Sequence, residues 1–480
     1  MILKLDGQGA LFKQLARALK SQILTGGYQP GSRLPATRTL AAALGISRNT
    51  VLGAYELLCA EQLAVAHPCS GTRVTGLAPK RSPRESRSAI RAQSRYSART
   101  RKLGEITLAG VKSGPRYDLN YSDTLVRPQL YSSWRRKLVA AAIRCGPKYL
   151  PAAGFYPLRT AIAEYLLRRR GVACTAADVL IVSGTQQALS VVARAVLDEG
   201  DSAVIEDPHY QLAKHALLAH GLRLTKVRVD AGGLVTAELP ARAPRLIYVT
   251  PSHQFPSGAV LSLQRRIELL RYAAANNCWV FEDDFDGEYH YDNRPVPALR
   301  SLDVAERVIH AGSFSKTLFP GLRLGYLVCP PTLRNDLFMA KTLEDLGCSS
   351  IEQAALATFL ESRQYEKHLR KSLTELRIRR DALLEALSRH LGANVEISAS
   401  AGGAHVVVWF RRLSYKSFGQ LIERASERGV GLYPIHPFYQ TPPTMPGLMM
   451  GFGGLSATQL NTAMAVLAAC LRDVVGRAAV

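Results

Sequence analysis

The 480-residue chain is short of acid: 38 Asp and Glu face 61 Lys and Arg, a formal net charge of +23. Such an excess argues against cationic partners and favours polyanions. Long apolar runs are also missing. No stretch reaches the roughly 20 residues a helix needs to cross a bilayer. The opening Met1-Ile2-Leu3-Lys4-Leu5-Asp6 lacks the apolar centre of a secretion signal. The eight cysteines (Cys59, Cys69, Cys145, Cys174, Cys278, Cys329, Cys348, Cys470) are scattered, with no CxxC pair and no His/Cys cluster. That pattern argues against a disulfide framework and a zinc site. The expectation is a cytoplasmic protein with reduced thiols, no metal and no membrane partner.

What is present divides unevenly. Hydrophobic residues make up 47% of the chain, enough for a sizeable core, and the length suits a small module joined to a large domain. Residues 1–105 hold 17 Lys and Arg against 5 Asp and Glu, so over half of the positive excess lies in under a quarter of the chain. A nucleic-acid partner at that end is the natural reading.

Leu11, Leu15, Leu19 and Ile23 stand at helical spacing over residues 11–24, and Gly26-Gly27-Tyr28-Gln29-Pro30-Gly31 ends that helix. A second helix is predicted over Thr37–Leu44, stopping at Gly45. A third follows over Arg48–Glu61 with Ser47 as its N-cap. Short strands at 64–66 and 72–75 flank Pro68-Cys69-Ser70-Gly71 and read as a hairpin. The runs Arg33-Leu34-Pro35-Ala36-Thr37-Arg38-Thr39-Leu40-Ala41 and Leu44-Gly45-Ile46-Ser47-Arg48-Asn49-Thr50-Val51, then Ala54-Tyr55, resemble the GntR-type winged helix-turn-helix over residues 8–76. The resemblance implies double-stranded operator DNA as partner. A recognition helix that starts Ser47-Arg48-Asn49-Thr50 presents base-reading donors and acceptors where such helices enter the major groove. Arg33, Thr37 and Arg38 would hold the phosphate backbone, and Arg73 on the hairpin would be the wing contact. Gln62 departs from the family, which usually has Gly after this helix, and should blunt the helix stop.

Residues 77–106 alternate Lys and Arg with Ser and Ala and hold almost nothing apolar, which predicts a basic flexible linker. From 107 to 480, strand-like runs at 179–182, 202–206, 246–250, 279–282, 308–311 and 325–329 alternate with amphipathic helices. This is the rhythm of a mostly parallel α/β sheet. Residues from about 350 to 480 suggest a smaller α+β subdomain.

Ser313-Phe314-Ser315-Lys316-Thr317, followed by Gly321-Leu322-Arg323-Leu324-Gly325, resembles the Schiff-base segment of fold-type I aminotransferase-like enzymes that use pyridoxal 5′-phosphate. The resemblance makes Lys316 the lysine that holds the cofactor aldehyde, with Ser313 and Arg323 toward its phosphate and Ser315 among the cofactor contacts. Gly184 and Thr185 follow a strand and open a helix, a phosphate cradle by helix-dipole logic. Asp283, at the end of an apolar strand, would pair with the pyridine nitrogen. Tyr210 would stack on the ring, and Gln254 occupies the place of the loop residue beside the ring hydroxyl. Tyr149 and Gly154-Phe155-Tyr156-Pro157-Leu158-Arg159 resemble the family's dimer-interface segment.

Together the two resemblances match the MocR branch of GntR regulators, whose GabR-like members are typically head-to-tail homodimers. Two positions depart from it. Met449 stands where aminotransferases carry the Arg that binds the substrate carboxylate, and a thioether cannot replace that bidentate anchor. Phe285 stands where a Tyr usually donates to the cofactor's ring oxygen. The expectation is a transcription regulator that binds the cofactor and senses an amine or a B6-type effector, with weak or vestigial transamination. The alternative is a working aminotransferase with an appended DNA-binding module.

Overall fold

In the computed structural model the apolar spacing of residues 11–24 becomes α1 (Leu11–Leu24), which buries Leu15, Leu19 and Ile23. The structure describes every residue except 1, 2, 4, 69, 77–93, 104–113, 126, 147–148, 292–296, 399–400 and 477–480. The chain divides into two units, Met1–Gln93 and Ser94–Val480.

In the first unit, α2 (Thr37–Leu44) and α3 (Arg48–Ala60) pack on α1 through Leu40, Val51 and Leu58. The Ser47 hydroxyl caps α3 by accepting from the Thr50 N–H at 3.1 Å. The helix stops cleanly despite the missing glycine. Gln62 itself takes the left-handed conformation, φ +58°, and Leu63 N–H closes the end on Leu58 O at 2.9 Å. β1 (Ala64–His67) and β2 (Gly71–Val74) form the expected antiparallel hairpin. Residues 31–34 lie along it, with Leu34 N–H donating to Thr72 O and Val74 N–H to Ser32 O, each at 2.9 Å.

The second unit starts earlier than its composition suggests, which corrects the linker expectation. Within residues 77–106, Arg95–Lys102 is a helix, α4, capped by Ser94. Arg99 Nε donates to Ala219 O at 2.9 Å, Arg99 pairs with Glu199, and Tyr96 meets His220 edge-on at 5.9 Å. Tertiary contacts thus order a segment too polar to bury a core of its own; residues 77–93 lie outside the described residues.

There follow β3 (Tyr117–Asp118), α5 (Pro128–Arg144), α6 (Tyr156–Arg170), β4 (Val179–Val182), α7 (Thr185–Val196), β5 (Ser202–Asp207), α8 (Gln211–Ala219) and β6 (Arg223–Asp230). Next come β7 (Gly233–Leu234), β8 (Leu246–Val249), α9 (Leu263–Ala275), β9 (Trp279–Asp284), β10 (Val308–Ser313) and β11 (Gly325–Val328). One eight-stranded sheet runs β4-β11-β10-β9-β8-β5-β6-β7, parallel except for β11 and β7. Its β4, β8 and the inner part of β9 are buried throughout, as a sheet covered on both faces requires.

The chain continues through α10 (Arg334–Asp345), α11 (Ser350–Glu361) and the long α12 (Gln364–Leu391) into a smaller lobe. That lobe holds β12 (Val395–Ser398), β13 (His405–Phe410), α13 (Tyr415–Glu427), β14 (Val430–Gly431), β15 (Tyr433–Pro434), β16 (Gly447–Gly451) and α14 (Ala457–Val475). Its four-stranded antiparallel sheet is ordered β12-β13-β16-β15. A segment from far upstream joins it: β3 pairs with β14, and Gly451 N–H donates to Leu119 O at 2.9 Å. None of the described helices is long and apolar enough to cross a membrane.

Candidate functional site

Open α/β sheets bind ligands beyond the carboxyl ends of their strands, because loops from neighbouring strands converge there. The second unit has a cavity of about 480 Å³ at that edge. It is lined by Gly184 and Thr185 after β4, Tyr210 after β5, Asp283 on β9, and Ser313, Ser315, Lys316 and Arg323 around β10 and β11. Eight of the nine expected cofactor contacts therefore share one wall.

The cavity has an anion-binding end. Gly184 takes φ +105° at the N-cap of α7, a conformation that side chains rarely adopt, and a Cβ there would stand 3.4 Å from Arg323 Nη2. Backbone N–H groups at the start of α7 and the Arg323 guanidinium thus face the same small space. Ser313 Oγ accepts from Ser315 N–H at 3.1 Å, while Ser315 Oγ is buried with no partner among the described residues.

Asp283 is the unusual group. Its Oδ2 accepts from the Tyr248 hydroxyl at 2.7 Å, but its buried Oδ1 has no partner among the described residues. Burial drives its carboxyl up to about 7. The Tyr248 bond opposes that rise, and the nearby acids Asp284, Asp286 and Glu206 add to it. A buried acceptor left open calls for a cationic donor. Lys316 Nζ donates to Ser122 O at 3.1 Å and Tyr121 O at 3.4 Å. Burial holds its amine below the usual lysine range, against the pull of Asp286 and Asp123.

Gln254 must be corrected. It is 1% exposed and stands off the cavity wall. Its Nε2 donates to Pro208 O at 2.8 Å, Phe255 O at 2.7 Å and Glu206 Oε2 at 3.2 Å, and its Oε1 accepts from Ser257. The buried Glu206 carboxyl and the loop carbonyls consume the amide, so Gln254 shapes the loop rather than meeting a ring hydroxyl. Sequence reasoning missed Tyr248, Tyr121, Phe255 and Phe438, all on the wall. A tyrosine in the fully buried run Leu246–Val249 was the available signal, since its hydroxyl needs a partner.

Each of the two departures lies near Phe255. Phe285 lines the cavity, 6.0 Å from Phe255. Met449 is fully buried with Val407, Ile435 and Phe438, and Tyr121 and Phe255 pack on that cluster.

In the first unit, Arg48 and Asn49 are exposed at the first residues of α3. The Ser47 and Thr50 hydroxyls bond each other at 2.8 Å, and Ser47 caps the helix start. Arg38 is exposed on α2 and Thr37 is half-buried at its first position. The Arg33 backbone forms an isolated antiparallel bridge to Arg73 on β2, and its guanidinium lies over Gly71, where a Cβ would come within 2.7 Å of Nε. Arg73 Nη1 donates to Gly31 O at 3.0 Å.

Residues 11–74 match the gntR family of bacterial regulatory proteins, and residues 124–442 match aminotransferase class I and II. The HTH-type transcriptional regulator YdeL of Bacillus subtilis is 33% identical, the match covering 94% of each chain. The probable rhizopine catabolism regulatory protein MocR of Rhizobium meliloti is 34% identical, covering 95% of this chain and 92% of its own. Among solved structures, the α-aminoadipate aminotransferase LysN of Thermus thermophilus superposes with a TM-score of 0.71 at 26% identity. That match covers 80% of this chain and 98% of that one.

Proposed function

The chain belongs to the GntR family of transcription regulators, in the MocR-type branch that carries an aminotransferase class I and II domain, and from that membership we propose that its large unit binds pyridoxal 5′-phosphate and senses an amine or a B6-type compound. One observation carries the reading. The unpartnered Asp283 Oδ1, the Lys316 amine and the anion cradle of Gly184, Thr185, Ser313, Ser315 and Arg323 open on a single cavity. Those groups fit the cofactor's ring nitrogen, aldehyde and phosphate.

When bound, the cofactor supplies an aldehyde that captures amines and a ring that withdraws electrons. The rest falls to the chain. Asp283 would keep a proton on the ring nitrogen, and Tyr248 would hold the carboxylate in its charged form. Arg323 and the start of α7 would fix the phosphate. Burial favours the neutral Lys316 amine that such capture needs. Phe285 has no hydroxyl to offer the ring oxygen, and the buried Met449 offers no cation to a carboxylate, so amino-transfer should be slow. The rival reading, a working aminotransferase, draws on the complete cradle and requires rapid keto-acid formation.

In the first unit, Arg48, Asn49 and Thr50 would read bases while Arg33, Thr37, Arg38 and Arg73 position the phosphate backbone. The protein would act in the cytoplasm as a head-to-tail homodimer, a proposal favoured by Tyr149, Ile143 and Leu343, which are 91%, 80% and 81% exposed. Spectroscopy with DNA-binding assays tests the whole reading. Purified protein should show the cofactor's visible absorption band, and borohydride should leave the cofactor attached to the peptide carrying Lys316. An unchanged band in Lys316→Ala, or no DNA binding at all, would overturn it.

A further inference from the structure

The cavity has two unlike ends, and the second of them says what kind of amine it takes. Among its lining residues the cations are Lys316 and Arg323, and Arg323 lies against Gly184 at the anion cradle. The other end is a basket of rings. Phe255 meets Phe438 at 5.4 Å, Tyr210 at 5.6 Å and Tyr121 at 5.7 Å, with Phe285 at 6.0 Å; most of these contacts are edge-to-face. The layer behind is apolar too. Val407, Ile435 and Met449 are at most 1% exposed, and Met449 sits between Val407 and Tyr433 in strand register. On its far side Lys316 shares a small adjoining space with Asp286, which bonds His253 Nδ1 at 2.8 Å.

We propose, resting on the amine-sensing reading above, that the effector is a primary amine with an aromatic or aliphatic tail and no carboxylate. A carboxylate placed beside the ring basket would lose its hydration with only Lys316 and Arg323 among the lining cations, both of which the reading above commits to the cofactor, and ring faces carry negative partial charge. An apolar tail meets neither penalty and gains by leaving water. The same geometry disfavours a second phosphate-bearing compound at this end, because the anion cradle lies at the other.

Calorimetric titration of the full-length protein, saturated with pyridoxal 5′-phosphate, tests this with matched pairs. The pairs are 2-phenylethylamine against phenylalanine, and n-pentylamine against norleucine. Each amine should bind at least tenfold more tightly than its carboxylated partner. Equal or tighter binding of the amino acids, or no binding of either amine, overturns the proposal. Failure to take up the cofactor counts instead against the earlier reading, and the heats of the same pairs still decide the tail preference. Phe438→Arg adds a cation to the wall, and the tenfold ratio should then fall toward one. A variant that keeps the visible band and the unchanged ratio overturns the placement of the tail.

Discussion

Tyr248→Phe should weaken cofactor binding without disturbing the fold. The substitution keeps the ring, which stacks on Phe281 at 5.6 Å and 14°, and removes only the hydroxyl that donates to Asp283 Oδ2 at 2.7 Å. Both side chains are buried, and Asp283 Oδ1 has no other partner among the described residues, so the carboxyl would be left with none. A hydrogen bond to a charged group contributes about 1.5–3 kcal/mol. The Tyr248 bond lowers the Asp283 value, so its loss drives the carboxyl above about 7. The variant therefore holds Asp283 protonated at neutral pH, and that proton must leave before the carboxylate can face a protonated ring nitrogen. The cost corresponds to roughly a ten- to 150-fold weaker dissociation constant. Titration of cofactor-free protein with pyridoxal 5′-phosphate, followed by its visible band at about pH 7.5 and about pH 8.5, reads the effect, and the deficit should narrow at the higher pH. Affinity within about threefold of the parent at both values, with an unchanged thermal midpoint, would refute the assignment of Asp283 to the ring nitrogen.

Burial raises the Glu206 carboxyl to about 7, so the folded chain binds its proton more tightly than the unfolded one and stability falls as pH rises from about 4.5 through 7. Glu206→Gln removes that dependence, and its stability relative to the parent should rise by up to about 3 kcal/mol between about pH 4.5 and about pH 8 in urea denaturation. Gln62→Gly relieves the left-handed conformation after α3 and should stabilise the first unit by roughly 0.5–1 kcal/mol, read by calorimetry of the full chain. Arg48→Ala should cost about 1–3 kcal/mol on operator DNA and relax base preference, whereas Arg73→Ala should weaken all sequences alike and flatten the salt dependence. Equal losses on operator and random DNA for Arg48→Ala would remove it from the reading set.

The features legible in the sequence are those that local pattern controls. The helix α3 with its Ser47 cap, the strand-to-helix turn at Gly184, and the spacing from Ser313 through Lys316 to Arg323 each lie within a few residues of one another. The missed contacts join distant segments. Tyr248 reaches Asp283 only because β8 and β9 pair side by side, with Val249 opposite Glu282. Phe438 reaches the cavity from the far lobe, where His209 N–H donates to its carbonyl at 3.0 Å. Gln254 went astray because its role depends on a buried carboxyl 48 positions upstream. The helix α4 escaped notice because composition measures what a segment can bury alone, and Arg99 draws its partners from around α8.

The cavity wall is contributed by both lobes of the second unit, and hydrogen bonds join them around it, His209 N–H to Phe438 O at 3.0 Å among them. Lys316 Nζ holds Ser122 O, Gln211 Nε2 holds Pro437 O at 2.7 Å, and Gln440 N–H holds Asp207 Oδ1 at 3.0 Å. An occupant touching Asp283 and Arg323 on one side and Tyr121 and Phe438 on the other therefore works as a rivet between two lobes. Its binding energy adds to the seam, so filling the site raises the cooperativity with which the lobes unfold. Amide exchange in β13 and β16, which back the cavity wall, should slow on filling. In that sense occupancy is a mechanical state of the whole second unit.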